Sequence, residues 1–183
     1  MRRMNWRSAA GLVLSLTMAV PTEAVVTKVF LVLGQSQAVN FDNNAAALPT
    51  ELQNPQTGVD FRYRTSWWPD NSANGYVASG GWEALAPQQN EGTLAFNAGR
   101  GISTGFGPEL TLGRDLAEGL PGENVAILKY AWNATSLGSR ADREGWHPAD
   151  EGQIYDGLTA EVDAALAALT ARGDTPVVEG LFW

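Results

Sequence analysis

The chain has 183 residues, one histidine, no cysteine and a formal net charge of −8 at pH 7. Its length fits one domain, and a hydrophobic fraction of 44% with seven tryptophans is enough for a packed core, which excludes wholesale disorder. The absence of cysteine excludes disulfides, thiolate zinc sites and a cysteine nucleophile, and a single histidine excludes a multi-histidine metal site. The acidic balance argues against nucleic-acid binding as the main role.

The first 24 residues have the pattern of a secretory signal peptide. Three arginines precede an apolar run at 8–20, and Pro21 and Ala24 follow it. A run of about 13 residues is too short for a bilayer, which needs roughly 20 helical residues. We therefore expect cleavage after Ala24, a domain over residues 25–183, a secreted or periplasmic location and no stable membrane insertion after cleavage. The alternatives are an uncleaved anchor and a misplaced start codon.

Three short apolar runs predict strands of a parallel sheet. They are Lys28–Leu33, Val125–Ala131 and Val177–Trp183, and such nearly continuous runs are typical of strands buried on both faces. Two amphipathic helices lie between them, one from Pro108 to Leu120 and one from about Gln153 to Arg172. This alternation predicts an α/β fold: a three-layer α/β/α, doubly wound parallel sheet of the flavodoxin-like kind.

Two segments lack regular periodicity. Residues 37–106 are rich in asparagine, glycine, proline and aromatic residues, and residues 138–152 are polar. A loop of the first length inside a domain is usually functional or contains small elements of its own. Its tryptophans are candidates for stacking on sugar rings, and the alternative is that they fill the core beneath loops.

Ser36 follows the first predicted strand directly, in the sequence Gly34-Gln35-Ser36. The carboxyl ends of parallel strands are where open α/β sheets place their sites. A serine hydroxyl there can attack a carbonyl carbon, while backbone N–H groups of the following turn stabilise the oxyanion. The alternative is a serine that caps the next helix.

Three blocks of the sequence resemble the SGNH hydrolases. VFLVLGQSQAV (29–39) is similar to their nucleophile block, and FGPELTLGRDLAEGLPGENVAILKYAWNATSL (106–137) to the next helix, strand and Gly-Gly-Thr turn. Residues 155–183 are similar to the helix and strand that follow. The match is nearest to the carbohydrate esterases that resemble sialate O-acetylesterase. The resemblance implies an SGNH-type fold for residues 25–183, with Ser36 as the nucleophile.

The resemblance also assigns the surroundings of the serine. It places Gly34 and Gln35 in the nucleophile turn, and a second oxyanion donor, a backbone N–H, in the turn formed by Asn133, Ala134 and Thr135. Both glycines of the family's Gly-Gly-Thr turn are absent here, and the asparagine that follows the nucleophile is replaced by Gln37. An alanine disfavours the positive φ that glycine adopts in such turns.

The catalytic base is the second point of departure. The family continues with Gln-Gly-Glu and, much later, an Asp-x-x-His block that supplies the base. We therefore expect a domain that is incomplete at its C-terminus and a 183-residue chain that is inactive by itself. We also expect an open sheet edge with exposed apolar surface near Leu181, Phe182 and Trp183. Glu144 and His147 imitate an acid three residues before a histidine and form an alternative base pair. The other interpretation of His147 is an exposed loop residue.

Three functions remain open at this point. The first is a secreted serine esterase that removes acetyl groups from a carbohydrate through an acyl-enzyme on Ser36, with no metal and no organic cofactor. The second is a non-catalytic carbohydrate-binding protein on the same fold. The third is a pseudoenzyme or structural surface domain.

Overall fold

The computed structural model describes residues 24–39, 43–66, 76–89, 104–138, 145–149 and 154–183. The predicted signal peptide lies outside the described residues, apart from Ala24. The elements in chain order are β1 (Val25–Gly34), a 3-10 turn (Ala45–Ala47), α1 (Thr50–Gln53), β2 (Gln56–Ser66), β3 (Tyr76–Ala78), β4 (Glu83–Leu85), β5 (Gln88–Gln89), β6 (Thr104–Gly105), α2 (Glu109–Gly119), β7 (Asn124–Trp132), α3 (Ile154–Arg172) and β8 (Asp174–Phe182).

β1 is the central strand of a mixed, mostly parallel sheet. It pairs in parallel with β7 on one side and with β8 on the other. β2 pairs in parallel with β7 and in antiparallel fashion with the short strands β3 and β4, which gives the order β3-β2-β7-β1-β8 with β4 also on β2. β5 and β6 form a separate two-stranded ribbon. The predicted α/β class is confirmed.

The two long helices cover opposite faces of the sheet. Successive side chains of a strand point to opposite faces, so β1 contributes to two cores. On one face Leu31 belongs to a cluster with Ile154 and Leu169 of α3. On the other face Val32 belongs to a cluster with Leu110 of α2. Both helices are therefore held by buried apolar contacts with the central strands.

The predicted helix limits are confirmed to within one or two residues. α2 begins after Pro108. Proline suits this position because the first N–H groups of a helix have no partner within the helix, and proline has no N–H. α3 ends at Arg172, and Gly173 follows with φ 103°, a conformation that glycine adopts without the strain of a Cβ. Within the described ranges, no helix is long and apolar enough to cross a membrane.

The prediction of an irregular segment over residues 37–106 is wrong for β2. This strand has 11 residues, and the side chains of Val59, Phe61 and Tyr63 are buried in alternation. The intervening Arg62 and Arg64 point to the other face, where both pair with Glu161 of α3 at 2.7 and 3.7 Å. The alternation of apolar and polar residues that is typical of a strand was present in the sequence. The charged residues on the second face did not indicate that this face is also covered.

The third apolar run is not buried on both faces as its composition predicts. The prediction of an open edge with exposed apolar surface near Leu181, Phe182 and Trp183 is confirmed for the described sheet. β8 lies at the edge of the described sheet, and Val178 and Leu181 expose 46% and 57% of their surface. Its pairing with β1 shifts between Val29 and Phe30, which face Val178 and Gly180, so Glu179 is the extra residue of a β-bulge.

A buried ion pair fixes the start of α2 against β7. Lys129 Nζ lies 3.1 Å from Glu109 Oε2, and the two side chains are 0% and 1% exposed. The other carboxylate oxygen accepts hydrogen bonds from the Gln88 side chain at 3.0 Å and from the Gly107 N–H at 2.8 Å. Burial lowers the pKa of the Lys129 ammonium, and the neighbouring carboxylate opposes that shift.

Removing one member of this pair should be far more damaging than removing both. We expect Lys129→Met to lower the free energy of unfolding by about 3–5 kcal/mol, because it leaves the Glu109 carboxylate buried without a counter-charge. The double variant Lys129→Met/Glu109→Gln should recover most of that loss. Urea unfolding followed by tryptophan fluorescence measures both.

Lys28→Met is the matched control. Lys28 pairs with Glu123 at 3.5 Å near the surface, and such pairs contribute about 0–1 kcal/mol. If Lys129→Met is no more destabilising than Lys28→Met, the buried pair does not anchor α2.

Candidate active site

A sharp turn at Gly34 brings Ser36 to the carboxyl end of the central strand. Gly34 has φ 152°, and a Cβ at this position would lie 3.2 Å from the Cβ of Ala38. The turn closes with a hydrogen bond from the Val39 N–H to the Gln35 carbonyl oxygen at 2.9 Å. Glycine is therefore required at position 34 by both its backbone conformation and its close neighbour.

The parallel register of β1 and β7 places Ser36 beside Asn133. Gly34 pairs with Ala131, so two residues further along each strand the chain reaches Ser36 and Asn133. Ser36 Oγ donates a hydrogen bond to Asn133 Oδ1 at 2.5 Å. The predicted juxtaposition of the two turns is confirmed. Among the described residues, no helix follows Ser36 directly, so the alternative interpretation as a helix cap gains no support there.

The turn after β7 is held from three sides. The Asn133 N–H donates to the Ser66 carbonyl oxygen of β2 at 3.0 Å. The Gln35 side-chain amide donates to the Thr135 carbonyl oxygen. Thr135 Oγ1 donates to the Trp132 carbonyl oxygen at 2.9 Å, which ties the turn back to β7. The side chains of the nucleophile turn and the turn after β7 therefore fix one another.

Trp146 buttresses this turn, although the sequence indicated no role for it. Its indole N–H donates to Thr135 Oγ1 at 2.9 Å, and its backbone N–H donates to the Ser136 carbonyl oxygen at 2.8 Å. Gly145 forms a parallel bridge with Ser136. The only hint in the sequence was a tryptophan within a polar segment.

Ala134 adopts a conformation that normally belongs to glycine. Its φ is 56°, and it is the one residue other than glycine with a positive φ among those that the structure describes. The left-handed region costs an alanine roughly 1–2 kcal/mol because its Cβ crowds the backbone. The turn thus has a positive φ at a position that alanine, and not glycine, occupies.

Two backbone N–H groups of the turn have no hydrogen-bond partner among the described residues. Of the three predicted oxyanion residues, Asn133 uses its N–H for Ser66. The N–H groups of Ala134 and Thr135 donate to no other described residue. Ala134 and Thr135 therefore remain the candidates for the predicted oxyanion donor in this turn.

His147 is exposed and is not bonded to Ser36. Its Nδ1 accepts a hydrogen bond from the Ala149 N–H at 3.1 Å, and no described hydrogen bond joins its ring to the serine. Glu144, the proposed acid partner, lies outside the described residues. The structure brings Gly34, Gln35 and Ser36 together with the residues of the turn after β7, and it does not bring His147 into that group.

Metal binding finds no support in the described part of the chain. No three histidine, aspartate or glutamate side chains converge there as ligands.

Trp82, one of the predicted sugar contacts, donates its indole N–H to the Ala165 carbonyl oxygen at 3.0 Å and packs on the α3 core. Trp67 and Trp68 lie outside the described residues.

Relief of the strain at Ala134 should stabilise the protein. We expect Ala134→Gly to raise the free energy of unfolding by up to about 1 kcal/mol, since glycine adopts a positive φ without a steric cost. Ala117→Gly, within α2, should instead lower it by about 0.5–1 kcal/mol. Thermal and urea unfolding of the two variants measure the sign of each change in the free energy of unfolding. A decrease in both variants would show that Ala134 is not strained.

Comparison with known proteins does not identify a family for the chain. No protein-family model, no curated protein and no solved structure matches the chain. The resemblance of residues 29–39, 106–137 and 155–183 to SGNH hydrolases stays a prediction.

Proposed function

We propose that the protein is a serine esterase of the SGNH type that removes O-acetyl groups from carbohydrates, with Ser36 as its nucleophile. The observation that carries the proposal is the pairing of Ser36 with the strained turn at Ala134, at the carboxyl end of the central strand. Helices on opposite faces of a mostly parallel sheet support the three-layer arrangement that belongs to such enzymes. The acetyl group and the carbohydrate come from the sequence resemblance alone.

The reaction would proceed through an acyl-enzyme. Ser36 Oγ attacks the ester carbonyl carbon, the carbonyl oxygen becomes an oxyanion, and the N–H groups of Ala134 and Thr135 stabilise it. Collapse of this intermediate breaks the bond to the sugar oxygen, which leaves as an alcohol after taking up a proton. Water then attacks the acyl-enzyme, releases acetate and restores the Ser36 hydroxyl.

The proton of Ser36 needs a better acceptor than its present one. Asn133 Oδ1 orients the hydroxyl, but a neutral amide does not remove a proton at physiological pH. His147 is the only imidazole of the chain and follows Trp146, which is bonded to the turn. It would have to turn away from the Ala149 N–H in order to serve as the base.

A second candidate function is binding of an acetylated carbohydrate without turnover. The same hydrogen bond favours it, because a serine held by an amide and without a base is a poor nucleophile. Binding that persists in Ser36→Ala, together with no ester hydrolysis by the unaltered chain, is the expected signature of this function.

Hydrolysis of 4-nitrophenyl acetate and of an acetylated xylo-oligosaccharide tests the proposal. In the protein with any sequence that follows residue 183, we expect Ser36→Ala to lower kcat/KM for both by about 10³-fold or more, because no acyl-enzyme forms. Ser136→Ala, a serine of the adjacent turn, is the matched control and should keep most of the activity. Turnover that survives in Ser36→Ala would refute the assignment of the nucleophile.

His147→Ala identifies the base in the same assay. If His147 acts on Ser36, the variant His147→Ala and the double variant Ser36→Ala/His147→Ala should each lower kcat/KM by as much as Ser36→Ala does. The reason is that the effects of residues that act as a unit are not additive. Unchanged turnover in His147→Ala would exclude the imidazole.

A further inference from the structure

The hydroxyl group of Thr135 takes part in two hydrogen bonds inside the protein. It accepts from the Trp146 indole N–H at 2.9 Å and donates to the Trp132 carbonyl oxygen at 2.9 Å. An indole N–H can only donate and a carbonyl oxygen can only accept, so the direction of both bonds is fixed. Thr135 and Trp146 are 5% and 7% exposed. A buried chain of two hydrogen bonds therefore runs from Trp146 to the end of β7.

This chain of bonds closes around the two residues between Trp132 and Thr135. The first, Asn133, binds the Ser36 hydroxyl, and the second, Ala134, has a φ of 56°. A strained conformation persists only where the surrounding contacts over-determine it. Without the indole N–H, the Thr135 hydroxyl has one partner fewer, and Ala134 is freer to relax towards a negative φ. Such a relaxation would move the Asn133 side chain relative to Ser36.

Trp146 is itself held in a defined position. Its ring meets the Tyr130 ring edge-on, with 5.8 Å between the ring centres, which is a favourable arrangement of two aromatic rings. Its backbone N–H donates to the Ser136 carbonyl oxygen at 2.8 Å, and Gly145 forms a bridge with the same residue. The indole therefore sets the position of the Thr135 hydroxyl and does not merely follow it.

Trp82 makes a comparable indole hydrogen bond in the same apolar cluster. Its indole N–H donates to the Ala165 carbonyl oxygen at 3.0 Å. This partner belongs to α3 and not to the turn after β7. Loss of either indole N–H should therefore cost a comparable amount of stability, whereas only Trp146 is bonded to the turn that holds Ser36.

We propose that Trp146 is a positioning residue of the proposed esterase reaction. No described hydrogen bond joins it to Ser36, and it acts through the Thr135 hydroxyl on the turn that contains Asn133 and Ala134. The inference depends on the proposed function, in which this turn orients the nucleophile. A residue with this role affects the chemical step and leaves the binding of substrate nearly unchanged.

Hydrolysis of 4-nitrophenyl acetate by Trp146→Phe tests this role, in the protein with any sequence that follows residue 183. Phenylalanine keeps an aromatic ring and removes the N–H. We expect kcat to fall by about tenfold or more while KM changes by less than about twofold, because small displacements of reacting groups are costly in rate. Trp82→Phe is the matched control and should keep most of the activity. Urea unfolding of both variants shows whether their losses of stability are comparable.

Substitutions of Thr135 show whether the effect passes through its hydroxyl group. Thr135→Val removes the hydroxyl and should lower kcat at least as much as Trp146→Phe, and Thr135→Ser should recover most of that loss. The double variant Trp146→Phe/Thr135→Val should be no worse than Thr135→Val, because the bond from the indole is already lost there. Additive losses would show that Trp146 does not act through Thr135 and would overturn the inference.

The pH dependence of kcat separates this role from an effect on His147, the next residue in the chain. Trp146→Phe should lower kcat by the same factor at every pH, since the positioning of the turn does not change the group that titrates. A shifted pH profile in Trp146→Phe would mean that the indole acts on the base, and the inference would be wrong.

Amide hydrogen exchange gives a readout that does not require turnover. The Asn133 N–H is bonded to the Ser66 carbonyl oxygen, so its exchange measures the opening of the turn. We expect this exchange to be about tenfold or more faster in Trp146→Phe and unchanged in Trp82→Phe. If exchange is faster but the protein shows no Ser36-dependent hydrolysis, the proposed function fails and the support of the turn stands. If hydrolysis depends on Ser36 but Trp146→Phe behaves like Trp82→Phe in both assays, the inference is wrong and the esterase function stands.

Discussion

The parallel register between β1 and β7 is the constraint on which the candidate site depends. It sets Gly34 against Ala131 and so brings Ser36 against Asn133 once both strands have ended. The register is strongly specified because both strands are buried on both faces, where a slip of one residue would exchange the contents of two cores. Two turns that are separated by 97 residues in sequence are thereby placed at hydrogen-bond distance.

β7 connects the stability of the fold with the shape of the site. Lys129 holds the start of α2 through Glu109, and five residues later the chain reaches Ala134 in the strained turn. A strained backbone persists only where its surroundings over-determine it, and bonds from Gln35 and Trp146 supply that support. The energetic cost of this conformation falls on the turn whose Asn133 side chain binds the Ser36 hydroxyl.

The sequence was sufficient for the elements that have one clear period. β1, β7 and both long helices follow from apolar runs and amphipathic stripes, and Ser36 follows from its place after a buried strand. β2 was missed because Arg62 and Arg64 look solvent-exposed until Glu161 of a distant helix pairs with them. The contact between Trp146 and Thr135 could not be predicted for the same reason, because it depends on how the polar segment folds back onto the turn after β7.

The bulge in β8 has a consequence for how molecules of this protein behave at high concentration. An open strand edge is a template on which another chain can add, and apolar side chains at 178 and 181 would make that edge adhesive. Pro176 offers no N–H, and a proline is tolerated in a strand where its nitrogen faces away from the partner strand. The outer edge therefore lacks one donor, and three residues later the extra residue Glu179 adds a charge and breaks the spacing. The edge is apolar in its side chains but irregular in its backbone, which protects it against intermolecular β-pairing.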